Sequence, residues 1–128
     1  MMATAIDVAT IAPINHDEAM RITEVELGRM LSAARDLAPD DWTQPTVCTG
    51  WDVRAVMLHL LGAAESNASF GESVHQMRLG KRLFKQIGGH HWVDGANEIQ
   101  IRERSGLTNA EVIDRYSAAI PKAVRTGP

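Results

Sequence analysis

The sequence predicts an all-α fold. Apolar residues recur at helical spacing along most of the chain, and two segment starts carry reciprocal capping signatures. No apolar/polar alternation persists beyond four residues. At 128 residues the chain is one domain, with an irregular arm over 1–14 and a helical domain over 15–128. A hydrophobic content of 45% supports a core of normal size.

Residues 1–14 are small and β-branched and contain Pro13, which predicts an arm docked on the bundle. Asn15 with Glu18 three residues on is an asparagine form of the capping box and opens the first helix. Met20, Val25, Leu27, Met30, Leu31, Ala34 and Leu37 mark its apolar face to about Ala38. Pro39, Asp40 and Asp41 end it. The loop over 42–50 opens on Trp42, contains the only cysteine, Cys48, and runs into Trp51. Thr49 is an N-cap residue, and Asp52 three positions later favours the positive end of a second helix. Apolar residues at 53, 56, 57, 60, 61 and 64 carry that helix to about Ser66. His59 flanks this stripe. It is either a satisfied core residue or a ligand pointing into a bundle.

Residues 72–87 resume the helical pattern, as a separate helix or a bent continuation, with Gly80 as an interruption. Gly88-Gly89 is a stop. His90, His91 and Trp92 lead as a loop to Asp94 and a helix over about 95–104. Thr108 and Glu111 form a full capping box, with Leu107 and Val112 as its hydrophobic staple. The last helix passes through Ile113, Tyr116 and Ile120. Pro121 predicts a kink or stop there, and 125–128 a frayed end.

Several function classes are excluded at this level. The net charge is −3 with both signs interspersed, and no basic block suits nucleic acid or an anionic membrane. No apolar run approaches the ~20 residues of a membrane span, and no export signal is legible at the N-terminus. A single cysteine forms no internal disulfide, which fits the cytoplasm.

The chemistry-bearing residues each have a plainer reading. His59 taken alone is more often a buried, hydrogen-bonded histidine than a metal ligand. Glu72 and His75 form an E-x-x-H pair on one helix face, an alternative pair of metal ligands, although a solvated face is the commoner meaning. His90 and His91 read as surface loop residues. Cys48, near a helix N-terminus, is either a reactive thiol or a small packing residue, and packing is the preferred reading. The tryptophans read as packing residues, since a nucleic-acid platform needs a basic groove.

Together Trp42, Pro45, Thr46, Cys48, Gly50, Trp51, Asp52, Val53, Arg54, His59 and Leu60 form a long motif of unusual spacing. It resembles the N-terminal metal-binding domain of the mycothiol-dependent maleylpyruvate isomerases, a branch of the DinB-like four-helix bundles. Residues 93–97 resemble the segment that opens that family's third helix, and the likeness runs from about Glu18 to Val124. The resemblance implies an antiparallel DinB-like bundle and a divalent metal, zinc, with His59 as its first protein ligand. Mycothiol would be the co-substrate, in isomerase or S-transferase chemistry. Asp94 is then either a partner that orients His59 or an N-cap for the next helix.

In the family a glutamate and a histidine one turn apart on a fourth helix complete the ligand set. No histidine follows residue 108 here, so the bundle is expected to stop before its fourth helix and to bind zinc weakly when alone. Two readings follow. One is a metal-dependent, thiol-linked enzyme domain. The other is a non-catalytic helical module acting through a partner, such as a second copy covering an exposed apolar groove.

Overall fold

Asn15 opens the first helix as its sequence context requires. Its Oδ1 accepts the Glu18 amide at 2.9 Å, while Glu18 Oε2 accepts the Asn15 amide at 3.2 Å. Helix α1 then runs over His16–Arg35. The computed structural model describes residues 4–126. Four further helices follow: α2 (Val53–Ala68), α3 (Phe70–Leu83), α4 (Trp92–Arg104) and α5 (Asn109–Thr126). Among the described residues the only β pairing is one antiparallel bridge between Pro45 and Asp52, so the all-α expectation holds. None of the helices is long and apolar enough to cross a membrane.

Helix α2 is the centre of the molecule. It packs on α5, α4 and α3 and on the short 3-10 turn Pro39–Thr43, while α1 lies mainly against α5 and α3 against α4. The core is built from Met57, Leu58, Leu61 and Ala64 of α2, Val112, Tyr116 and Ala119 of α5, Ala34 of α1, and Trp42. Helix α1 contributes a narrower stripe than its sequence suggests. Leu27 and Leu31, with Leu37 just beyond the helix, pack on the core, but Val25 and Met30 remain 53% and 38% exposed. The reason is geometric: α1 rests mainly on a single neighbour, and one helix–helix seam covers few positions per turn. An apolar hollow of about 200 Å³ stays open between α1 and α2, lined by Met30, Ala33, Leu37, Val53, Val56 and Leu60 among others.

Several local expectations are corrected. The described part of the arm, 4–14, is exposed throughout, so it does not dock. Asp52, not Thr49, caps α2: its Oδ1 accepts the Ala55 amide at 2.8 Å, because the bridge to Pro45 keeps residue 52 extended. Of the two alternatives for the segment after α2, a separate helix is the one found, since Ser69 between them is extended and caps α3 through the Glu72 amide. Helix α4 begins three residues early, capped by His91. Helix α5 does not stop at Pro121. Its exposed ring lies between the buried Ala119 and Ala123, and on the solvent side water can take the carbonyl that proline leaves unpaired. The Thr108–Glu111 capping box forms as expected, with bonds of 3.0 and 3.1 Å.

Gly80 does not interrupt α3. It is where α3 and α4 touch backbone to backbone. A Cβ built at Gly95 would lie 2.2 Å from the Gly80 carbonyl oxygen, and one at Gly80 would lie 2.7 Å from the Ala96 nitrogen. Only hydrogens at both positions permit this crossing.

Candidate functional site

The long motif ahead of α2 is a device for launching that helix. Trp42 is buried in the core. Thr46 Oγ1 donates to the Trp51 carbonyl at 2.7 Å and accepts the Cys48 amide at 3.1 Å. Gly50 turns the chain at φ +81°, a conformation that favours glycine. The Val53 amide donates to the Gln44 carbonyl at 2.9 Å. Arg54 ties the launched helix to the α4–α5 junction, donating to Asn109 Oδ1 at 2.8 Å, to the Ser105 carbonyl at 3.1 Å and to the Leu107 carbonyl. Cys48 is exposed, which corrects its reading as a packing residue.

These contacts fix where His59 stands. Its ring lies against Trp51, with centroids 5.2 Å apart and planes tilted by 43°. Its Nδ1 sits 2.6 Å from Gln100 Oε1 on α4. Gln100 reaches this position because α2 has a glycine opposite. A Cβ at Gly62 would lie 2.5 Å from both Cβ and Cγ of Gln100. The imidazole is half-buried, and its Nε2 is the ring nitrogen to which no hydrogen bond is assigned.

From His59 a continuous polar chain runs between α2, α3 and α4. Gln100 Nε2 donates to Gln76 Oε1 at 2.8 Å. Gln76 Nε2 donates to the Gly62 carbonyl at 2.9 Å and to Glu72 Oε1 at 3.0 Å. Arg104 donates to Glu72 at 2.9 Å and to Glu65 at 2.8 Å, and Arg115 grips Glu65 through both carboxylate oxygens. Burial opposes ionisation of Glu72, but the hydrogen bonds from Gln76 and Arg104 and the nearby positive charges outweigh it and hold its carboxyl below the usual range. Every buried side-chain nitrogen and oxygen among the described residues has a partner, as low-dielectric burial demands. The glutamate–arginine end of the chain borders a hollow of about 300 Å³ shared with Ser69 and Lys122.

The structure separates the sequence candidates. Asp94 does not meet His59. Its Oδ2 accepts the amides of His90 and His91 at 2.8 and 3.1 Å, so it works at the start of α4 and is held in its charged form mainly by those two bonds. Gln100 holds the place considered for Asp94. Glu72 and His75 do not act as a pair, because Glu72 is engaged by Gln76 and Arg104 while His75 Nε2 lies 2.8–2.9 Å from the Glu103 carboxylate. His90 and His91 are exposed, and His91 accepts the Val93 amide. Gln76, Gln100 and Arg104 had drawn no attention in the sequence. The available signal was a glutamine and an arginine one turn apart, at 100 and 104, where a helix facing the core should be apolar.

Among the described residues no three His, Cys, Asp or Glu side chains converge as a metal cage. The family model of the mycothiol maleylpyruvate isomerase N-terminal domain matches residues 24–126. No curated protein and no solved structure matches the chain.

Proposed function

Because the chain belongs to the mycothiol maleylpyruvate isomerase N-terminal domain family, we propose that it is a metal-linked domain in which His59 ligates a divalent cation, zinc, serving mycothiol chemistry. When bound, such a cation holds a thiol as its thiolate. The observation that carries the reading is the setting of His59. Gln100 takes Nδ1, Trp51 lies against the ring, and Nε2 is left without an assigned partner. Metal-bound histidines in proteins are oriented in this way through their second nitrogen.

A catalytic zinc takes three protein ligands and keeps one open position. Among the described residues no three such side chains converge, and in this reading His59 is one member of the ligand set. The domain's own residues have defined tasks. The 42–54 segment sets the start of α2, and Gln100 orients the imidazole.

The test is zinc titration by calorimetry at pH 7.5, where neutral imidazole is the binding form. The chain alone is expected to bind zinc weakly, with that binding lost in His59→Ala. Adding a helix with a glutamate and a histidine one turn apart should give tight binding that His59→Ala again abolishes. Tight binding that survives His59→Ala overturns the proposal. Tight binding by the chain alone that disappears in His75→Ala moves the site to α3.

A further inference from the structure

A neutral imidazole exists as two tautomers, and ligation through Nε2 requires the proton on Nδ1. Hydrogen bonds decide which form is present, and here they can be followed from a fixed end. The Gly62 carbonyl can only accept. The Gln76 atom 2.9 Å from it is therefore the amide NH2, which also faces the Glu72 carboxylate. The Gln76 oxygen must then face Gln100, and the group meeting it at 2.8 Å must be the Gln100 NH2. That leaves the Gln100 oxygen 2.6 Å from His59 Nδ1. Two acceptors do not pair at this distance, so Nδ1 carries the hydrogen.

We propose that the Gly62 carbonyl, Gln76 and Gln100 form a relay that holds neutral His59 as its Nδ1–H tautomer and presents the Nε2 lone pair. This is the reverse of the form that predominates for an unconstrained histidine in water. Gln76 and Gln100 are only 3% and 6% exposed, so water has little access to replace either amide. The missing Cβ at Gly62 lets Gln100 enter the relay, since any side chain there would displace it. Gln76 and Gln100 are thus positioning residues. The relay stands on hydrogen bonds alone, and its service to a cation rests on the function proposed above.

The experiment is long-range proton–nitrogen correlation of the His59 ring in nitrogen-15-labelled, metal-free protein at pH 8, assigned with His59→Gln. Nδ1 is expected in the protonated, pyrrole-like range and Nε2 in the unprotonated, pyridine-like range. In Gln76→Leu, which leaves the His59 contact itself intact, and in Gln100→Leu, the Nε2 resonance should move to the protonated or averaged range. Circular dichroism checks that both variants keep their helices. An Nε2–H ring in the unmodified protein overturns the proposal without recourse to any variant. A folded Gln76→Leu protein with an unchanged ring overturns the relay as well. If the ring is Nδ1–H and the zinc titration fails, the metal reading falls and the relay stands.

Discussion

Arg104 shows how much one residue can hold in place. Its side chain is 4% exposed, and it joins Glu65 and Glu72 from two different helices. Its Nη1 also donates to the Gln100 carbonyl at 3.3 Å. Breaking a buried ion pair from one side leaves carboxylates without a counter-charge, at a cost of about 3–5 kcal/mol. Both glutamates retain partial access to water, so Arg104→Ala is expected near the lower end, about 3 kcal/mol. Urea unfolding followed by circular dichroism measures it, and a loss below about 1 kcal/mol would mean that the carboxylates simply rehydrate. The sequence could not reveal this residue's task. An arginine in the last turn of a helix ordinarily serves the helix dipole, and Glu65 lies 39 positions away. The same holds for Gln100, which is 41 positions from His59. Asn15 and Thr108 were legible because their bonds close within three residues.

At the scale of elements, glycine has two opposite meanings. Gly28 lies inside α1 with nothing within 4 Å of a Cβ built there. Gly28→Ala should stabilise the protein by about 0.5–1 kcal/mol through helix propensity. Gly95→Ala, whose methyl would enter the Gly80 carbonyl, should destabilise it by about 1–3 kcal/mol or more. Thermal melts of the two variants should shift in opposite directions, and a Gly95→Ala protein as stable as the parent would show that α3 and α4 can separate at no cost. Spacing made Gly80, which Gly95 meets, look like an interruption, and it does not tell Gly28 from Gly95. Distinguishing them requires knowing that α3 and α4 cross at Gly80. A crossing is set by tertiary packing, which single-sequence periodicity does not carry. The stop expected at Pro121 is absent for a related reason, since the residues beyond it are still helical and Ala123 is buried.

Across the whole molecule, the fold class and the motif before α2 were legible because both are written in local chemistry: caps, periodicity and turn residues. The arrangement of helices was not, and one consequence of it concerns time. Helix α1 rests mainly on α5, whereas α2, α3 and α4 pack on one another in chain order. A ribosome releasing this chain exposes the apolar stripe of α1 long before its partner emerges, while the three middle helices can associate as they appear. Contacts that close long loops form late and open early. Amide exchange under native conditions should therefore strip protection from α1 sooner than from α2. Equal protection across the two would mean that the molecule opens only as one unit. The first helix made would thus be the last to find its seat, and a nascent chain held before α5 would keep Leu27 and Leu31 open to chaperones.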